Sequence, residues 1–189
     1  MIWAFVGLSP TRVVGLSAYA SAVAACAWRW WRDRQKHRQR DRRGGGVFGV
    51  LAAVQLVLLL DIAFNLRWRL HDFFMQEAMA HGVYGLRRPP QLLALCTLIG
   101  VSTLCCAFIL SRFRRRRGAA IAVAGTLLSV ALRCAEVLSY HDLDAVLYAQ
   151  VGKVMMVSTL WTALTLLTYL GVWIDGRSSI RLNGVNLAN

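Results

Sequence analysis

The stretch VFGVLAAVQLVLLLDIAFNL (47–66) runs for twenty residues with a single charge, Asp61. An α-helix needs about 20 mostly apolar residues to cross a hydrocarbon core of ~30 Å, and a helix that is apolar on every side must be buried in a large core or in lipid. Four further runs have the same character: VVGLSAYASAVAACAWRWW (13–31), QLLALCTLIGVSTLCCAFILS (91–111), GAAIAVAGTLLSVALRCAEVLSY (118–140) and VGKVMMVSTLWTALTLLTYLGVW (151–173). They occupy more than half of the 189 residues, in keeping with a hydrophobic content of 57% and a mean hydropathy of +0.49. The predicted class is all-α, a polytopic membrane helical bundle with five transmembrane helices in one domain, 1–189. Ser9-Pro10 supplies an N-cap and first helical residue for the first run, Pro89-Pro90 precedes the third, and Tyr169 and Trp173 suit the headgroup level at the end of the fifth.

Basic residues separate these runs and set their direction. The loop RDRQKHRQRDRR (32–43) carries seven Lys and Arg, RFRRRR (112–117) five, and HDLD (141–144) none. Lys and Arg are retained on the cytoplasmic side, so the N-terminus is predicted outside and the C-terminus inside a bacterial cytoplasmic membrane. The loop 67–90 opposes this, with Arg67, Arg69, Arg87 and Arg88 on the outside, but its four charges are spread over a longer segment. A net charge of +13 would suit nucleic acid, yet the charges are not gathered on a folded basic platform or interleaved with aromatics, which excludes nucleic acid as the expected partner. Anionic lipids at the basic loops and a membrane protein partner are the expected associations beside the bilayer itself. VAAC (23–26) loosely resembles the residues before a lipidated cysteine, but cleavage there would force export of the basic block that follows. The five cysteines all lie in apolar runs without metal-ligand spacing and read as small buried hydrophobes.

Charges inside the runs are the candidate site. Asp61 lies 14 residues after Val47, and Arg133 lies 14 after Ala119, in helices predicted to run the same way. The two should share a depth. Asn65 follows Asp61 by four and Glu136 follows Arg133 by three, spacings that keep each pair on one helical face. Lys153 falls near the matching end of the fifth run. The predicted intramembrane polar cluster is therefore Asp61, Asn65, Arg133, Glu136 and Lys153. An unpaired charge at mid-membrane costs about 2.5–3.5 kcal/mol on insertion scales, so these residues should neutralise one another. Two readings stand: the cluster fixes helix packing, or it is a proton, ion or small-ligand site. No transporter-like broken helix is evident.

A second group is expected outside. In 66–91 the spacing predicts a helix over 70–81 with Leu70, Phe73, Phe74 and Ala78 on one face and Gly82 as its stop, either lying on the membrane surface or continuing the second span. The outer-face candidates are His71, Asp72, His81, Arg87, Arg88, His141, Asp142 and Asp144. Asp142 is expected to cap the fifth helix and Asp144 to favour its N-terminal dipole, so no metal is assigned. Enzyme signatures such as GxSxG, a P-loop, HExxH or GxGxxG are missing, and no His lies within a run to ligate haem. No catalytic residue and no cofactor are assigned.

HGVYGLRRPPQ (81–91) and LRCAEVLSYHDLD (132–144) together resemble a loose group of small multi-pass bacterial inner-membrane proteins without an assigned activity. The matching positions are Gly82, Tyr84, Arg87, Arg88 and Gln91, then Arg133, Glu136, Ser139, His141 and Asp144, over about a quarter of the chain. The resemblance implies the location and the bundle, and it directs attention to Arg133, His141 and Asp144. The expected function is that of a non-enzymatic accessory, assembly or sensory component of the membrane. A small proton-coupled carrier is the alternative, and a membrane-bound redox protein or enzyme comes third.

Overall fold

The computed structural model describes residues 9–37, 46–82, 85, 88–114, 116–138 and 140–185. Among them are seven helices and one short hairpin. Helix α1 spans Pro10–His37, with the Arg12 N–H reaching Ser9 Oγ at 3.3 Å and Pro10 in the first helical position. It continues past the apolar run, where no Gly or Pro breaks it, and Arg29 and Asp33, one turn apart, pair at 2.8 Å.

Helix α2 (Gly46–Phe64) ends at Asn65, which adopts the left-handed conformation at φ 53°, ψ 38°. Asn tolerates this region better than most residues, and the chain turns there into a separate helix α3, Leu66–Ala80. The segment 70–81 thus belongs to a separate helix and does not continue α2, and that helix begins at Leu66 rather than Leu70. No residue of α3 is buried, and Leu70, Phe73 and Phe74 are exposed. Gly82, at φ 68°, follows its end.

Helices α4 (Arg88–Arg112), α5 (Arg117–Leu138) and the short α6 (His141–Leu147) follow. Strands β1 (Gln150–Val151) and β2 (Val154–Met155) then pair antiparallel before α7, Met156–Val185. Apolar length predicts helix from Val151 onward in the fifth run. Instead Gly152, at φ 67°, and Lys153 form a two-residue hairpin loop, for which glycine at the first position is the usual requirement. The hairpin is held to α1 by the Met155 N–H, which donates to Thr11 Oγ1 at 3.0 Å.

Helices α1, α2, α5 and α7 form the core, with α1 antiparallel to α2 and α5 antiparallel to α7. Glycines set the closest approaches. A Cβ on Gly171 of α7 would lie 2.3 Å from the Ala122 backbone nitrogen, and one on Gly118 of α5 would lie 2.2 Å from that of Asp175. Such small-residue contacts let helix backbones approach without relying on water exclusion. Toward the hairpin end, Tyr19, Leu58, Ile62, Leu147, Val157 and Trp161 pack together, and toward the other end Cys26, Phe48, Leu51, Ala119, Ala122 and Val172 do so. Helix α4 rests on the flank of α5 and buries only Ser102.

Four helices are long and apolar enough to cross a membrane: α2, α4, α5 and α7 as far as Arg177. The molecule is an all-helical bundle of the kind a multi-pass membrane protein requires. α1 lies alongside them but carries Arg12 in its first turn and several charges in its last turns. The cysteines differ from expectation: Cys26 is buried, whereas Cys134 of α5 is exposed, and in α4, which packs on one side only, Cys96 is exposed and Cys105 and Cys106 are half-buried.

Candidate functional site

At the hairpin end of the bundle, two arginines and two carboxylates meet. Glu136, on the core face of α5, has a side chain with no exposure, and its Oε2 is shared by Arg133 Nη1 at 3.0 Å and by Arg67 Nη1. Its Oε1 accepts the indole N–H of Trp161 at 2.8 Å. Arg133 Nε lies 3.0 Å from Asp61 Oδ2, off the N–H direction, so these two meet as charges more than through an aligned hydrogen bond. Asp61 Oδ1 accepts the backbone N–H of Arg67 at 2.9 Å. Asp61 therefore serves α3 as its N-terminal cap, a place where a carboxylate is favoured by the unsatisfied N–H groups.

The turn at Asn65 makes this possible. It sends Arg67 back over the end of α5, and Arg12 of α1 stabilises the break by donating to the carbonyls of Ile62 and Ala63, the last turn of α2. Aromatic rings then enclose the guanidiniums. Trp161 lies 4.7 Å from the Arg133 carbon and 5.2 Å from that of Arg67, and Tyr19 lies 5.9 Å from Arg133. Trp68 and Tyr148, 5.7 Å apart, cover Arg67 from outside. Burial pushes the Tyr148 phenol above its usual pKa, with the Arg67 charge opposing, so it remains a neutral hydrogen-bond donor at physiological pH.

The geometry brings Asp61, Arg133 and Glu136 together. It separates Asn65 and Lys153 from them. Asn65 is exposed at the helix break, in the left-handed conformation that ends α2, and makes no side-chain cap. Lys153 is exposed at the hairpin tip, because the glycine turn removes it from the helix that would have buried it. Arg67 supplies the second base in its place.

The outer-face candidates scatter. His71 is half-buried on α3 against the edge of Trp68 at 6.1 Å, and Asp72 is exposed. His81 pairs with Glu77 at 3.6 Å on the same exposed helix. Arg88 is exposed at the start of α4, His141 and Asp142 are exposed in α6, and Asp144 is half-buried there. Asp142 does not cap α7: it sits in the first turn of α6, whose N-cap is Tyr140, since the hairpin intervenes before α7 begins. Arg87, Tyr84 and Ser139 lie outside the described residues. Gln91 donates to the Leu138 carbonyl at 2.9 Å, joining the start of α4 to the end of α5. Among the described residues, no group of three His, Cys, Asp or Glu side chains is placed to hold a metal.

Two further polar layers are not apparent from the sequence. In mid-bundle, the fully buried Gln55 of α2 donates to Thr126 Oγ1 of α5 at 3.0 Å and reaches Thr168 Oγ1 of α7 at 3.4 Å. At the far end, which bears the arginine block 112–117, Arg29 pairs with Asp33 and with Asp175 of α7, each at 2.8 Å, and Arg116 reaches Asp175 at 3.2 Å. The Arg29–Asp33 spacing is a signal that could have found the second; the partners of Gln55 carry none, because Thr is common in apolar runs. An apolar crevice of about 730 Å³ opens between α3, α4 and α5, with Arg133 among its lining residues.

No family model, no curated protein and no solved structure matches this chain. The class rests on the helices and their polar layers alone.

Proposed function

We propose that the chain is a five-span protein of a bacterial cytoplasmic membrane, with its N-terminus outside and its C-terminus inside. It acts there as a non-enzymatic accessory, assembly or sensory component through contact with another membrane protein. The carrying observation is the charge balance of the layer: two arginines face two carboxylates, and Trp161 donates to the second oxygen of Glu136. A buried layer balanced in this way fixes helix register, the best-attested use of buried polar groups. Five spans are supported by α1, which lies along α2 and α7 over their shared depth. The direction is supported by the distribution of Lys and Arg, and α3, with exposed Trp68, Phe73 and Phe74, suits an interfacial position. For the partner, α4 is the natural face, since Leu93, Leu104 and Phe108 are each about two-thirds exposed or more (69%, 71% and 68%).

One observation favours the carrier instead: Arg133 Nη2 is buried without a hydrogen-bond partner among the described residues, and Arg133 borders the α3–α4–α5 crevice. Proton entry into liposomes containing the purified protein, followed with a pH-sensitive dye under an imposed gradient, separates the two. The accessory reading expects the rate of empty liposomes in both wild type and Glu136→Gln. A wild-type flux that Glu136→Gln abolishes would establish the carrier.

A further inference from the structure

At the basic end of the bundle a groove of about 490 Å³ opens between α1 and α7. Its walls are one face of each helix, at spacings of three and four residues. α1 contributes Ser21, Ala24 and Ala25, whose small side chains leave the space, and then Trp28 and Arg32. α7 contributes Tyr169 and Val172 in the corresponding apolar part and then Trp173 and Arg177. The Arg29–Asp175 contact sets the register of the two helices, so Arg32 and Arg177 both lie one turn or less beyond it, at the mouth.

The charges in the groove divide into two kinds. Arg29, on its floor, is neutralised by Asp33 and Asp175. Arg32 and Arg177 have no acidic partner among the described residues. Arg177 is held with its guanidinium carbon 3.7 Å from the centre of the Trp173 ring. Trp28 and Trp173 are 57% and 46% exposed beside them, and Trp at this level is the signature of a headgroup boundary. An apolar slot that ends in two uncompensated arginines and two tryptophans has the chemistry of a phosphodiester with an acyl chain attached, since arginine recognises phosphate through paired N–H donors.

We infer that the α1–α7 groove is a binding site for one anionic phospholipid, with Arg32 and Arg177 on the phosphate and the acyl chain along Ala24, Ala25 and Val172. The site differs from diffuse attraction of lipid to the basic loops, because it has walls and a fixed stoichiometry. It rests on the chain being membrane-embedded, which a requirement for detergent during extraction tests separately.

The test is native mass spectrometry of detergent-purified protein titrated with phosphatidylglycerol or phosphatidylcholine. Wild type should hold one phosphatidylglycerol about tenfold more tightly than phosphatidylcholine, and Arg32→Gln/Arg177→Gln should lose that preference. Ala24→Phe, which fills the slot at an exposed position without changing charge, should weaken phosphatidylglycerol by a similar factor. Arg112→Gln/Arg114→Gln, which removes equal charge at the same end but outside the groove, should change it by less than about twofold. Equal binding of the two lipids, an equal loss in the Arg112/Arg114 control, or displacement of the lipid by inorganic phosphate at the same concentration would each overturn the proposal.

Discussion

Replacing Glu136 by Gln would leave Arg67 and Arg133 with Asp61 as their only carboxylate, in a layer that water barely reaches. Breaking a buried ion pair by removing one partner typically destabilises by about 3–5 kcal/mol, because the remaining charge stays uncompensated. Glu136→Gln should therefore lower the unfolding midpoint in detergent more than Trp161→Phe, which removes one hydrogen bond to a charged group, worth about 1.5–3 kcal/mol. Arg133→Met should be comparably damaging, and Asp61→Asn/Arg133→Met should recover part of the loss, since Arg67 and Glu136 still pair. Strictly additive losses in that cycle would mean that Asp61 and Arg133 do not interact. The recovery stays incomplete because Asp61 has a second task, capping Arg67 at the start of α3. The pairing of Asp61 with Arg133 was legible from equal depth along two parallel runs. Arg67 was not, because it lies beyond the apolar run, and only the turn at Asn65 returns it to the layer.

At the scale of elements, α5 and α7 stay together through glycine. Gly171→Ala would bring a methyl group to 2.3 Å from the backbone of α5 and Gly118→Ala to 2.2 Å from that of α7, so each forces the helices apart. Overpacking of this kind typically costs about 1–3 kcal/mol. Gly100 of α4 offers the contrast, since a methyl group there would meet nothing within 4 Å. Gly100→Ala should leave stability unchanged or raise it by up to about 1 kcal/mol. Thermal unfolding of the three variants in one detergent checks this, and equal losses at all three sites would contradict the observed packing. The long helices followed from apolar length, whereas the short α6 stands where HDLD (141–144) reads as a loop. The ends did not: Gly152 turned the start of the fifth run into a hairpin, and α1 continues to His37, past the end of its own run at 31.

For the whole molecule, the direction across the membrane decides which leaflet each polar layer meets. Reporter fusions at 80 and 143 should signal outside, and those at 115 and 185 inside. An outside signal at 115 would reverse the orientation, and an inside signal at 143 would remove a span. Under the expected orientation the Arg29–Asp33–Asp175 layer and the α1–α7 groove face the inner leaflet, and the Glu136 layer faces the outer one. The same three-layer pattern of polar contacts then runs through the bundle from one boundary to the other.

Apolar length, basic blocks and the depth of each charge are properties of the chain read in one dimension, because the bilayer imposes a single axis on any helix that crosses it. An all-helical bundle and the common level of Asp61, Arg133 and Glu136 follow from them. Rotation about that axis is different. Which of Gln55, Tyr19, Trp161 or Cys96 faces inward depends on how several helices pack together, and lipid is as apolar as the core, so hydrophobicity leaves no trace of the choice. That choice emerges from packing, through glycine contacts and through pairings such as Gln55 with Thr126 and Arg29 with Asp175, whose partners lie far apart in the chain.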